Sequence, residues 1–306
     1  KEEHKMPVDF NMTTVLVLMY SVFISQIFLI SVHYPRKMCA RIREVIETYP
    51  PAEYPNLYPG PYAYYAESAR KRGLKIFMAV NYLIAAVGLF TLVAMLYSGY
   101  RPALLGGDEI FVMIYFMLQS VPLIYIQIIE CRHYALMREN FAQPRRAATL
   151  APRRMSQFVS PAMVRLAGML YLLWLVFYLS DKGAVTAWGP EVYATLGMVT
   201  AMNLFYVLYM RRMVFGKKID PYRADQDRDR QLRVMGKVYT LSSIGISLFL
   251  ALTQAADRFG FEIFDPTFIS FYLQLCAVTG LGLVFRDMTV SSLNFEVYRK
   301  APATSA

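Results

Sequence analysis

Residues 12–32 read MTTVLVLMYSVFISQIFLISV, 21 positions without a charge and rich in Ile, Leu, Val and Phe. At about 1.5 Å per helical residue such a run covers the roughly 30 Å of a bilayer's hydrocarbon core. A helix buried in a soluble domain would carry a polar stripe, and this run shows none. Arg36 and Lys37 follow it, and no small-residue cleavage site does. The run therefore reads as a retained membrane span with a stop-transfer flank rather than a cleaved leader.

Working outward, comparable runs lie near 76–98, 110–130, 163–180, 191–210, 238–256 and 267–285. In lipid a helix satisfies every backbone amide within itself, so runs of this length predict helices. The expected fold is all-α: a polytopic membrane protein with seven transmembrane helices, forming one integral membrane domain over 1–306.

Basic residues set the expected orientation. Of the 32 Lys and Arg residues, 27 fall in 33–75, 131–165, 211–237 and 286–306, all on one side of the spans. Counting Glu130 with it, that side also holds 12 of the 22 acidic residues, so it carries a net +15 against −5 opposite. The positive-inside rule then places the N-terminus outside and the C-terminus in the cytoplasm, in a plasma membrane or a bacterial inner membrane. On this reading the basic balance reflects topology. No folded domain with interleaved basic and aromatic residues is visible, so no nucleic-acid partner is expected.

After the first span the chain reads as three hairpins, with short acidic turns at 99–109, 181–191 and 257–266. The expected cytoplasmic segment 33–75 has two parts. Met38, Ile42, Val45, Ile46 and Tyr49 recur at helical spacing, which predicts an amphipathic continuation of the first helix. Five prolines among tyrosines then predict an extended path, with the rings at the headgroup boundary or forming a docking surface. A basic linker is expected around 143–161. Alternating charges over 217–237 suggest a solvated, salt-bridged helical or turn segment.

The chemistry is marked by what is missing. The three histidines, His4, His33 and His133, lie at or beyond span ends, where they supply neither axial haem ligands nor a di-iron set. The chain has no DDxxD, GxSG or HExxH motif, no Walker loop, and no lysine in the seventh span. Cys39, Cys131 and Cys276 give no even framework and no CxxC, and are expected to be reduced. No cofactor or metal is expected.

Three groups of residues remain as candidates. Glu130 and His133, with Cys131 between them and Cys39 or Tyr134 within reach, offer a catalytic or ligand role, or else a helix end among headgroups. Asn81, Gln119, Gln127, Asn203 and Gln274 are polar within spans; they either bond neighbouring helices or line one neutral cavity. Arg36, Lys37, Arg70, Lys71, Arg72, Arg145, Arg146, Arg153, Arg154, Arg211 and Arg212 flank spans on one side, where they would meet anionic phospholipid headgroups or an acidic partner. Eighteen methionines favour adaptable apolar contacts. The leading expectation is a non-catalytic membrane subunit or scaffold, packed against lipids and against a protein partner or a second copy. The alternatives are a transporter or channel for an uncharged or apolar solute, and a lipid-modifying enzyme using Glu130 and His133.

Overall fold

The computed structural model describes residues 11–60, 67–102, 108–140, 153–180 and 182–299, without the side chains of 67–69, 108, 109 and 187. The described residues form helices and turns, with no strand among them. Among the described residues seven helices are long and apolar enough to cross a membrane. They are α1 (Met12–Thr48), α2 (Glu67–Tyr97), α3 (Asp108–Glu139), α4 (Pro161–Ser180), α5 (Pro190–Phe215), α6 (Asp225–Phe259) and α7 (Glu262–Asp287).

Most of these helices outrun their apolar cores, mainly at the basic end. α1 continues through Thr48, and α6 begins at Asp225, well ahead of the apolar run that starts near 238. Lipid limits how far a charged helix can sit in hydrocarbon, but beyond the headgroups only capping limits its length. The helix ends show such capping. The Asn11 side chain accepts from the Thr13 amide at 3.0 Å, closing the start of α1. Gly260, at φ 77°, ends α6 in the left-handed conformation that favours glycine. At the end of α5 the Arg228 guanidinium donates to the carbonyls of Met213 (3.1 Å), Val214 (3.4 Å) and Gly216 (2.8 Å). A cation there also suits the helix dipole.

The bundle is built around α7, on which α1 and α3 both pack, while α1 and α3 meet each other through side chains; α2 lies against α1 and α3. Phe23, Ile27, Ile84, Val112, Tyr115 and Leu273 form the apolar centre of this group. α6 packs against α7 on one side and against α4 and α5 on the other. Two close approaches fix these contacts. A Cβ at Gly88 would lie 2.2 Å from the Tyr115 hydroxyl, so α2 meets α3 there only because residue 88 is glycine. At Gly236 it would lie 2.6 Å from the Phe158 carbonyl oxygen, so α6 receives the segment before α4 in the same way.

Both α1 and α7 contain a π turn, Leu29–His33 and Val278–Gly282 respectively. Each adds a residue to the turn and re-aims the side chains after it. Tyr34, just past the first π turn, stacks on Phe285 with ring centroids 6.1 Å apart and lies over Gly282 at the end of the second. α3 runs through Pro122 as one helix, although the proline removes an amide that would have bonded the Leu118 carbonyl.

Candidate functional site

Polar side chains gather in two places, one within the bundle and one at its basic end. In the bundle the Ser270 hydroxyl of α7 donates to the Gln26 side-chain oxygen of α1 at 2.5 Å. Gln26 Nε2 donates to Gln119 Oε1 of α3 at 2.9 Å, and Gln119 Nε2 donates to Ser31 Oγ of α1, also at 2.9 Å. Gln26, Ser31, Gln119 and Ser270 are all fully buried, at 0% exposure. Close by, Tyr115 of α3 donates to the Ile84 carbonyl of α2 at 3.0 Å. Beside this chain, Ser25 donates to Gln274 Oε1 at 2.8 Å, and Gln274 Nε2 donates to the Val22 carbonyl at 2.9 Å. An unpaired amide in an apolar core is costly, so these bonds fix the rotation of α1 against α3 and α7.

The five span amides singled out from the sequence therefore occupy different places. Gln119 and Gln274 both bond α1. Asn203 accepts from Ser243, also at 2.5 Å, where α5 meets α6. Asn81 is buried and donates to the Phe77 carbonyl of its own helix at 2.8 Å. Gln127 is exposed on α3. Gln26, Ser31 and Ser270, which no sequence motif marks, complete the network. Their signal was a glutamine and serines within runs noted only for lacking charge.

The second gathering is a layer across the basic end. Asp220, 4% exposed, lies in the turn between α5 and α6. Its carboxylate accepts from the Tyr298 hydroxyl and from the Tyr222 amide (3.0 Å), and sits 3.6 Å from Arg223 Nε. Arg223 donates in turn to Gln231 and to the Tyr134 hydroxyl (3.4 Å), and Tyr134 donates to Glu130 at 2.8 Å. Burial works against the Arg223 cation, but the oxygens of Tyr134, Tyr298 and Asp220 outweigh it and hold its pKa above the ordinary guanidinium value. Burial, and then the Asp220 charge, push the Tyr298 phenol up, so it remains a donor.

The C-terminal segment is pinned to this layer. The Asn294 amide donates to Asp227 at 2.8 Å, and Arg230 donates to the Ser292 carbonyl. Tyr49, Tyr54, Met137, Val290, Phe295 and Tyr298 form an apolar cluster beneath it. Tyr49, Tyr54 and Tyr58 are therefore drawn inward, and Tyr62 lies outside the described residues. Tyr49 stacks on Phe295 with centroids 4.2 Å apart, Tyr54 donates to Glu296 at 2.9 Å, and Tyr58 donates to the Tyr49 carbonyl at 2.8 Å. In place of an extended path, Pro55–Leu57 form a 3₁₀ turn. Stacking against the C-terminal segment favours the compact form.

Glu130 and His133 belong to this layer. Glu130 is engaged by Tyr134, and His133 hydrogen-bonds the backbone of Leu57. Cys131 is exposed, while Cys39 is buried with its thiol 3.9 Å from the Leu74 carbonyl, so neither thiol joins the pair. Among the described residues no three His, Cys, Asp or Glu side chains converge as metal ligands. Of the basic residues, Arg36, Lys37, Lys71, Arg72, Arg154, Arg211 and Arg212 are exposed. Arg70 lies over the Tyr58 ring at 5.2 Å, and Arg153 sits 3.7 Å from Asp225. Arg145 and Arg146 lie outside the described residues.

Comparison with known proteins finds no matching family model, no similar curated protein and no similar solved structure.

Proposed function

We propose that this chain is a non-catalytic subunit of a plasma membrane or bacterial inner membrane. In this reading the N-terminus lies outside and the basic layer in the cytoplasm. The subunit assembles with a protein partner or a second copy and rests on anionic headgroups. One observation carries the reading. Gln26, Gln119 and Gln274 spend their hydrogen bonds on neighbouring helices and Asn203 accepts from Ser243 of α6, while broad apolar faces stay uncovered. On α4, Leu172, Leu173 and Val176 are 58%, 58% and 69% exposed, and on α5, Met198 and Phe205 are 67% and 56% exposed. Lipid or protein must cover these faces, and three of the buried span amides, Gln26, Gln119 and Gln274, hold helices together rather than line a solute path.

Purification in mild detergent should retain a partner chain or a second copy at fixed stoichiometry. A monodisperse monomer that carries a solute across proteoliposome membranes would overturn the proposal in favour of transport. The orientation has its own test. Cysteines introduced at Ala184 and Ala148 should label from opposite sides, and labelling of both from one side would reverse it.

A further inference from the structure

The π turns of α1 and α7 lie at one level. On one side of them Ser25 of α1 donates to Gln274 of α7 at 2.8 Å, and on the other Tyr34 stacks on Phe285 at 6.1 Å between centroids. Leu29–His33 and Val278–Gly282 fall between these two contacts, on helices that run the same way and touch. Past that level the two chains stay joined. Tyr49 stacks on Phe295, Tyr54 donates to Glu296, Arg299 sits 3.4 Å from Glu53, and Asn56 donates to the Arg299 carbonyl at 3.4 Å. We infer that residues 34–58 and 283–299 form one arm that swings about this paired π hinge. The turn between α5 and α6, with the start of α6, is the latch that holds the arm closed.

A π turn is a site where a helix bends, because its wider ring breaks the regular ladder. One such turn would rotate α1 against α7 for the rest of its length. Two at the same level carry both helices together, so the arm keeps its internal contacts. The hinge itself stays with the bundle, since Ser31 within the first π turn is held by Gln119 of α3. The latch is made of side chains. Asp220 and Asp227, both buried, accept from the Tyr298 hydroxyl and the Asn294 amide, and Arg230 donates to the Ser292 carbonyl. Beyond the two helices themselves, no backbone-to-backbone hydrogen bond joins the arm to the bundle among the described residues. Release therefore breaks contacts that can form again. It uncovers Met137, which is 1% exposed, together with Tyr134 and Tyr222, the residues of the apolar cluster that lie outside the arm. From Tyr34 to Tyr49 the arm is about 22 Å long at helical rise, so a swing of about 20° moves its tip by about 8 Å.

Spin-label distances in the full chain, in phosphatidylcholine nanodiscs, test the arm. Cys131→Ala and Cys276→Ala remove the accessible thiols and leave Cys39 buried. Labels at Glu47 and Gln226, both exposed, span the latch; labels at Glu47 and Ser291, also exposed, lie within the arm. With the latch intact both pairs should give one narrow distance. Tyr298→Phe combined with Asp227→Ala should lengthen the Glu47–Gln226 distance by about 8 Å and leave Glu47–Ser291 unchanged. Hydrogen exchange at 29–33 and 278–282 should quicken together in the same variant. If the pair of substitutions prevents folding, Tyr298→Phe alone preserves the packing and carries the same contrast. A Glu47–Ser291 distance that broadens with the other would mean that the C-terminal segment frays by itself, and the arm would be disproved. An unchanged Glu47–Gln226 distance would disprove the latch. Lengthening with both π turns still protected would put the pivot elsewhere and disprove the hinge.

Discussion

Replacing Gln119 by Leu tests whether the buried amides hold the bundle together. Gln119→Leu removes two bonds of 2.9 Å, from Gln26 Nε2 and to Ser31 Oγ. Interhelical side-chain bonds in membranes average about 0.6 kcal/mol. The larger loss is the Gln26 amide nitrogen, stranded at a fully buried position for about 1–3 kcal/mol. The expected destabilisation is therefore about 2–4 kcal/mol. Gln26→Leu should cost a similar amount, because it strands Gln119 Oε1 and the Ser270 hydroxyl. The double variant should cost clearly less than the sum of the two. Its shared bond is lost only once, and no amide of the pair is left unpaired. Ser31 and Ser270 can then turn to their own helix, as Ser120 does to the Phe116 carbonyl at 2.8 Å and Thr240 to the Gly236 carbonyl at 2.7 Å. Unfolding in mixed detergent micelles, run as a double-mutant cycle, should show a coupling of about 1–2 kcal/mol. Additivity within about 0.5 kcal/mol would refute the pairing as a source of stability.

Gly88→Ala should destabilise by about 1–3 kcal/mol, since the added Cβ meets Tyr115 at 2.2 Å and must push α2 off α3. Tyr115→Phe in the same chain should recover only part of this, because the ring carbon Cζ is still 2.5 Å away; an unshifted thermal midpoint for Gly88→Ala would contradict the packing. The Tyr298 phenol is raised by burial and by Asp220, so the folded state holds its proton more tightly than the unfolded one. Its contribution is present in full below the ordinary tyrosine pKa of about 10 and is lost as pH rises through the higher folded value. Hydrogen exchange over 288–299 should therefore quicken at alkaline pH, and in Tyr298→Phe it should already be fast at neutral pH; equal protection in both forms would remove Tyr298 as the pin. Neutralising Arg145, Arg146, Arg153 and Arg154 together should lower anionic-lipid retention in native mass spectrometry; unchanged retention would reduce them to topology signals.

The spans were legible in the sequence because lipid demands about 20 consecutive apolar residues whatever the neighbours, so hydropathy alone locates them. Helix beyond the bilayer was partly legible. The amphipathic spacing from Met38 to Tyr49 announced the continuation of α1, while the alternating charges after Lys217 allow helix or turn and do not mark where α6 begins. Alternating Asp and Arg over 217–237 look solvated when read locally. Asp220 and Asp227 are buried because Tyr298 and Asn294 reach them from more than 60 residues away. Pairing of that kind depends on how helices close in space and leaves no periodic trace. The same holds for the span amides. Composition predicts that Gln119 and Gln274 need partners, since hydrocarbon offers none. That the partners are Gln26, Ser31 and Ser25 of α1 follows from the rotation of α1 against α3 and α7, set by the apolar contacts of Phe23, Ile27 and Leu273 and by the close approach at Gly88. The sequence by itself thus determined which segments can cross a membrane and which of their residues must find hydrogen-bond partners. Only the tertiary structure decided which partners they find, because that choice depends on helix rotation and depth, which many distant packing contacts fix together.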